Sequence, residues 1–340
     1  MFIFVDMTAK KIVYIVNPRS GIGTKDGLES EVETYTDKEN YDYDIYYTQY
    51  KGHAREMALK YRDKVDIVVA VGGDGTINEI GSGLVGSSTA LGIIPAGSGN
   101  GLARDLDIPL RVSHAIEVIN DMTIRDIDVM QIGEHYSFNV SGVGFDAVIS
   151  HKFAKKRRRG PLQYMNLITN EYPKYKPNEY ILNIDGHLFK RRAFLVSFAN
   201  SSQWGNNIRI APNAQIDDGY IDVCIVSEFP NFAIPSLLFS LMTQNIEHNK
   251  YDEIIRAKHI EILNEGPLFG HVDGEPVEIE PHTKICIIPL GLKVIVPNVE
   301  LLKSWRFSPL MIKDMIEQTI PLPQMSQINI PKNPFFNKKK

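Results

Sequence analysis

Cysteine is scarce in this chain: Cys224 and Cys286 are the only two among 340 residues. Both sit inside apolar, strand-like runs, where a thiol behaves as a small hydrophobe. They make neither a disulfide framework nor a zinc spacing, so a reducing cytoplasm is the expected compartment. Long apolar runs are missing too. None approaches the roughly 18 residues that a membrane-spanning helix needs, so any membrane contact is expected to be peripheral. The opening Met1-Phe2-Ile3-Phe4-Val5 is cut short by Asp6 and has no cationic lead, and it does not read as a secretory signal. Positive charge is not in excess either: 37 Lys and Arg stand against 41 Asp and Glu, a formal net charge of -4. A nucleic-acid binder needs concentrated positive charge, and that class is set aside. No internal repeat is present.

What remains is an ordinary globular composition, 43% apolar and 23% charged, long enough for two domains with cores of their own. Continuous apolar runs at Ile12 to Val16, Asp66 to Val71 and Ala90 to Ile94 mark strands covered on both faces. Helical stretches, such as Ala54 to Tyr61 and Ile77 to Leu84, lie between them. That alternation predicts a doubly wound α/β domain over residues 8–130, with a parallel sheet and right-handed crossovers. From Tyr136 onward the pattern changes to alternation of apolar and polar residues, as in Tyr180 to Asp185, Tyr220 to Val226 and Leu292 to Val296. Many short alternating strands predict an antiparallel β-sandwich or barrel over 131–305. Helical insertions are expected near 145–175 and 230–246. Residues 306–340, ending in three lysines, have no clear period and are expected to form a partly disordered tail.

Each of the first three apolar runs leads into a glycine-rich turn. The first is Asn17-Pro18-Arg19-Ser20-Gly21-Ile22-Gly23. The second is Gly72-Gly73-Asp74-Gly75-Thr76-Ile77-Asn78-Glu79, and the third is Pro95-Ala96-Gly97-Ser98-Gly99-Asn100-Gly101. In an open α/β sheet these turns gather at the carboxyl ends of the strands, where ligands bind. Glycines let the backbone approach a ligand, and N–H groups at a helix start suit phosphates. One such turn alone is equally a tight strand-to-helix connection; three in succession point to a nucleotide. The Walker A ending and a Gly-x-Gly-x-x-Gly after the first strand are both absent, which disfavours a dinucleotide dehydrogenase. Asp74 would repel phosphate unless it binds Mg²⁺ or takes a proton from the nucleophile. The alternative is a helix cap through the N–H of Ile77.

With these residues in view the resemblance is specific. Gly72-Gly73-Asp74-Gly75-Thr76 followed by Asn78-Glu79 resembles the nucleotide-binding signature of the diacylglycerol kinase and sphingosine kinase superfamily, whose core NAD kinases and phosphofructokinases share. Asn17-Pro18-x-Ser20-Gly21 and Gly97-Ser98-Gly99-Asn100-Gly101-Leu102-Ala103-Arg104 narrow it to the lipid kinases. Gly142 to Ala147, Ala211-Pro212-x-Ala214, Asp217-Asp218-Gly219 and Asp273-Gly274-Glu275-Pro276 follow in family order. The resemblance implies an α/β nucleotide domain, a C-terminal β-sandwich domain and an active site in the cleft between them. It implies ATP held by Asn17, Pro18, Arg19, Ser20, Gly21, Thr48, Gly72, Gly73, Asp74, Gly75, Thr76, Asn78, Ser98 and Asn100. Asp74 would bind Mg²⁺ or act on the reacting hydroxyl, with Asp273 and Glu275 as the other catalytic carboxylates. Asp273-Gly274 is also a strong hairpin-turn dipeptide, and the two roles are compatible. A second, structural Mg²⁺ would sit at Asp218 with the carbonyls of Gln215 and Tyr220. Asp128 matches an acidic position that relatives connect to the site.

Gly101 stands where bacterial diacylglycerol kinase-like proteins carry an acidic residue, so the third turn looks more like the sphingosine and ceramide kinase branch. A sphingoid base is therefore an acceptor candidate beside diacylglycerol. Asp146 would hold its amino or hydroxyl headgroup, or else cap a helix. The basic run Lys152 to Arg159 is either a solvated helix end or a surface that orients the enzyme on anionic lipid. Phe335-Phe336-Asn337-Lys338-Lys339-Lys340 would add an aromatic and basic anchor. The expectation is thus a cytoplasmic, peripherally membrane-associated lipid kinase that uses Mg²⁺-ATP. A soluble-substrate kinase of the NAD kinase type and a catalytically silent lipid- or nucleotide-binding module are the alternatives. A homodimer is compatible with this reading, and no residue pattern calls for one.

Overall fold

The computed structural model describes residues 9–19, 27–154, 156, 161–205, 208–243 and 245–306. The chain enters through β1 (Lys10–Val16), α1 (Leu28–Tyr35), β2 (Tyr41–Tyr47) and α2 (His53–Tyr61). It continues through β3 (Ile67–Gly72), α3 (Asp74–Leu84), β4 (Ala90–Pro95), the short α4 (Gly101–Asp105) and α5 (Val112–Asp121). The strands pair in parallel in the order β2-β1-β3-β4. Their side chains divide by parity, as the two-residue period of a strand requires. Ile12, Tyr14 and Val16 pack with Leu28, Val32 and Ile116 of α1 and α5. Val13 and Ile15 pack with Ala54, Met57, Ile77 and Ile80 of α2 and α3. Both faces of the sheet are buried, which is why these strands read as unbroken apolar runs. The doubly wound layout is the one the sequence predicts. Helix α3, however, begins at Asp74, ahead of the apolar period at Ile77, because the glycine turn itself supplies the first helical turn.

The second half opens with β5 (Ile124–Ile132), β6 (His135–Ser137) and β7 (Val140–Gly144), then α6 (Phe145–Ala154) and α7 (Pro161–Glu171). There follow β8 (Asn178–Ile184), β9 (His187–Ala199), β10 (Gln203–Gly205), β11 (Ile208–Arg209), β12 (Ile221–Ser227) and α8 (Ile234–Met242). The chain closes with β13 (Asp252–Ala257), β14 (His259–Ile262), β15 (Leu268–Val272), β16 (Glu275–Ile279), β17 (Lys284–Ile295) and α9 (Val299–Arg306). The pairings among β7, β8, β9, β12, β13 and β14 are antiparallel. Val143, Leu182, Val196, Val223, Ile260 and Ile285 meet in the sandwich core. On the outer face Phe145 and Ile149 of α6, Leu167 of α7, and Leu237 and Leu241 of α8 form a covering layer.

One strand crosses between the halves. β17 runs antiparallel to β5 along its length, with an irregularity between Ile288 and Leu292, and its end lies parallel to β4 at Val294 and Leu91. Leu292 and Val294 join the first core, and Ile295 and Trp305 the other side of the same sheet. The sheet is therefore continuous across the division expected at residue 131. Periodicity reveals that a strand exists, but not which sheet each end of it joins. The expected tail beyond residue 306 lies outside the described residues, as do Lys155 and Arg157 to Arg159 of the basic run.

Candidate active site

The second and third glycine turns pack back to back. A Cβ on Gly97 would lie 2.5 Å from the Gly73 Cα, a separation that side-chain carbons do not tolerate, and one on Gly73 would lie 3.0 Å from the Gly97 Cα, so Gly97 must be glycine and Gly73 has little room for more. This contact brings the start of α3 against the start of α4. Asp74 Oδ1 accepts the Gly101 N–H at 2.6 Å and Oδ2 accepts the Asn100 N–H at 2.9 Å. Asp74 thus joins the second turn to the third. It does not cap its own helix: the Ile77 N–H donates to the Gly73 carbonyl at 3.1 Å, and α3 has no side-chain cap. Burial raises the Asp74 carboxyl above its ordinary range; the Gly101 and Asn100 N–H groups oppose that shift, and nearby Asp273 adds to it.

Across the cleft, β15 and β16 are joined by the two-residue turn Asp273-Gly274. Both residues have positive φ, +48° and +81°, the backbone that such a hairpin demands. Asp273 Oδ2 accepts the Asn78 side-chain amide at 2.8 Å and the Phe138 N–H at 2.9 Å. Its Oδ1 accepts the Ser137 hydroxyl at 2.6 Å and the Asn139 N–H at 3.0 Å. A carboxylate has about four lone-pair sites, and all of them are taken here. Burial pushes this carboxyl up as well, against the pull of those donors. Glu275 differs. Its side chain is 42% exposed, Oε2 pairs with Lys51 Nζ at 3.0 Å, and Oε1 lies over Gly75 at the start of α3. All three expected carboxylates are part-buried residues, and Glu275 is the one paired with an exposed lysine.

The first turn joins the same group. Asn17 donates its amide to Thr76 Oγ1 at 3.0 Å and accepts the Arg19 N–H at 2.9 Å. Thr48 is buried and donates its N–H to the Val16 carbonyl. Arg19 and Ser98 are exposed on the first and third turns, beside Pro18, while Ser20 and Gly21 lie outside the described residues. Asn100 is buried, with φ of +52°, and its amide closes the third turn on the N–H and carbonyl of Gly97. Asn17, Glu275 and the third turn at Gly97 therefore meet the second turn at the N-terminus of α3, the place where an open α/β sheet binds anions.

Other expected residues are placed elsewhere. The Asp218 carboxylate pairs with Arg256 and accepts the Tyr220 N–H at 3.0 Å. The Arg256 guanidinium sits 4.4 Å from the Tyr220 ring centre and the Lys258 ammonium 4.8 Å from it. A resident cation already balances this carboxylate, and among the described residues no group of three His, Cys, Asp or Glu is placed to hold a metal. Asp128 is fully buried and accepts the N–H groups of Gly219 (2.6 Å) and Leu290 (2.8 Å), so it ties two loops together away from the glycine turns. Asp146, expected at a headgroup, is enclosed: His271, Ser197 and the Ala147 N–H are its partners. Sequence reasoning passed over Lys51, Ser137 and His271. His271 lies two residues before Asp273 and Lys51 three after Thr48, but no motif marks them, and Ser137 meets Asp273 only through the fold.

The diacylglycerol kinase catalytic domain matches residues 11–132, and the YegS C-terminal NAD kinase beta sandwich-like domain matches residues 139–296. A diacylglycerol kinase of Staphylococcus aureus is 29% identical over 276 residues, covering 78% of this chain and 86% of that protein. One from Staphylococcus epidermidis is 28% identical over 273 residues, with the same coverage of 78% and 86%. Among solved structures, a diacylglycerol kinase of Bacillus anthracis superposes with a TM-score of 0.66 at 22% identity, over 86% of this chain and 98% of that one. A second structure from that organism gives 0.70 at 24% identity, over 86% and 98%. At such identities the superpositions speak to the fold.

Proposed function

This chain belongs to the diacylglycerol kinase catalytic domain family and is a lipid kinase, and from that premise we propose that it transfers the γ-phosphoryl group of ATP to the free hydroxyl of diacylglycerol. The observation that carries the site assignment is the meeting of the Gly-Gly-Asp-Gly turn with the Asp-Gly-Glu hairpin, tied by Asn78 and Asp273. Phosphoryl transfer needs positioning and electrostatic stabilisation more than covalent help. The glycine turns and the N-terminus of α3 supply N–H groups to the phosphates, with Asn17, Arg19, Thr76 and Ser98 around them. Thr48 and Asn100 act from behind, by shaping the turns. Beyond the Asn100 and Gly101 N–H groups and its own backbone N–H, the Asp74 carboxylate keeps acceptor capacity. Asp74 would therefore hold the Mg²⁺ that accompanies ATP, an ion that balances charge on the transferring group when bound. Glu275 has room to accept the proton of the lipid hydroxyl, a contribution of about 10²–10⁴-fold. Asp273, with its acceptor sites filled, positions the hairpin.

The acceptor lipid resides in a bilayer, so a surface must meet it. Among the described residues no helix is long and apolar enough to cross a membrane. Phe232, just before α8, is 82% exposed and Phe239, on α8, 68% exposed, while Ala233, Leu237 and Leu241 face the core. The chain carries no charge from Phe229 to Ile246. Burying aromatic side chains at a bilayer surface is favourable where no charge must be desolvated, and this face is our choice for peripheral contact. Loss of liposome co-sedimentation in a Phe232→Ser, Phe239→Ser double variant is the expected result; unchanged binding contradicts it.

Transfer of label from ATP to detergent-dispersed lipids tests the acceptor. The panel holds diacylglycerol, monoacylglycerol, a sphingoid base, ceramide and undecaprenol, with NAD as a soluble control. Label on diacylglycerol supports the proposal. Label on the sphingoid base moves the chain to the other branch that its Gly101 resembles, and label on NAD alone refutes a lipid acceptor.

A further inference from the structure

Behind the Asp273-Gly274 turn lies a buried polar chain with no part in the reaction as drawn so far. The two central N–H groups of a two-residue hairpin turn have no partner in the strand ladder and are left to water or side chains. Side chains take both here, even though Gly274 is exposed. The Asp273 N–H donates to the Ser141 hydroxyl at 3.3 Å; Ser141 donates to Ser137 at 2.8 Å, and Ser137 returns its proton to Asp273 Oδ1 at 2.6 Å. The Gly274 N–H donates to Nδ1 of His271 at 3.2 Å. A neutral imidazole has one acceptor and one donor nitrogen, so its proton lies on Nε2. Nε2 then donates to Asp146 Oδ2 at 3.1 Å, an oxygen that also accepts the Ser197 hydroxyl at 3.1 Å. His271 is 2% exposed and Asp146 6% exposed. The imidazole can neither turn over nor leave without stranding a buried group.

We propose that His271 is a positioning residue for phosphoryl transfer. By accepting the Gly274 N–H it fixes the Asp273–Gly274 peptide, one residue ahead of Glu275, and Asp146 holds the imidazole in the tautomer that can accept. The proposal rests on the lipid kinase reading and on Glu275 as the carboxylate nearest the chemistry. It also gives Asp146 a role that its enclosure permits.

Two variants separate the bonds. In His271→Asn the amide oxygen falls near the place of Nδ1 and keeps an acceptor for the turn, while the link to Asp146 is lost. In His271→Gln the amide reaches the place of Nε2 and keeps Asp146, while the turn loses its acceptor. A displacement of about 1 Å at a reacting group costs on the order of 10²-fold. His271→Gln is expected to lower kcat by about 10- to 100-fold, with KM for ATP within about twofold, and His271→Asn to recover most of the rate. Hydrogen exchange across residues 272–276 is expected to quicken in His271→Gln and to stay slow in His271→Asn. Equal rates and equal exchange in the two variants, or activity that only tracks melting temperature, overturn the proposal. If the unaltered protein phosphorylates no lipid, the lipid kinase reading fails instead; the exchange comparison then decides alone whether His271 holds the turn.

Discussion

Asn78, on the helix that follows the second glycine turn, donates its side-chain amide to Asp273 Oδ2 at 2.8 Å across 195 residues of sequence. The same amide donates to the Tyr136 carbonyl at 2.8 Å, so one side chain of the nucleotide half ties both β6 and the β15–β16 turn. The cleft is set by this tie as much as by the packing around it.

Asn78→Ala removes one of four donors from the part-buried Asp273 carboxylate. Leaving such an acceptor short costs about 1–3 kcal/mol, more when it is charged. The expected result in urea unfolding is a lowered midpoint with an unchanged slope, together with reduced kcat. A variant as stable as the unaltered protein contradicts the tie.

Gly97→Ala tests the contact of the two turns. The added methyl would meet the Gly73 Cα at 2.5 Å and Asn100 Oδ1 at 2.8 Å, and neither can move without opening the third turn. Overpacking of this kind costs about 1–3 kcal/mol. Calorimetry is expected to show both a lower melting temperature and weakened ATP binding. Unaltered affinity would separate the turn contact from the nucleotide site.

Asp252 gives a pH prediction away from the cleft. Neither of its oxygens has a hydrogen-bond partner among the described residues, and burial raises its carboxyl from 3.8 to about 7. Asp222 is raised to about 6 by burial, against the opposing charge of Arg256. In the unfolded chain both ionise near their ordinary value, so the folded state binds more protons between pH 4 and 7, roughly. Stability therefore falls as pH rises through that window. Asp252→Asn is expected to flatten the decline and to raise the melting temperature at pH 8. A decline that is unchanged in the variant places its source elsewhere.

Much of this was legible in the residues. The runs Ile12 to Val16 and Ile67 to Val71 are buried on both faces and therefore unbroken. Asp273-Gly274 is a turn for the reason its dipeptide suggests. What could not be read is which donors a carboxylate finds. Asp218 meets Arg256 38 positions away, and Asp146 meets His271 125 positions away. No local period encodes those pairings. The same limit hid the crossing of β17, since alternation at Leu292 to Ile295 is silent about which neighbour the strand takes.

The central claim is that Asp74, at the junction of the second and third turns, serves phosphoryl transfer from ATP to a lipid hydroxyl. The most direct measurement is labelled-phosphate transfer to diacylglycerol by the unaltered protein and by Asp74→Asn, with circular dichroism on both. The account predicts a labelled lipid band for the unaltered protein and its loss, by at least about 100-fold in rate, in a variant that stays folded. Near-full activity in folded Asp74→Asn would contradict it.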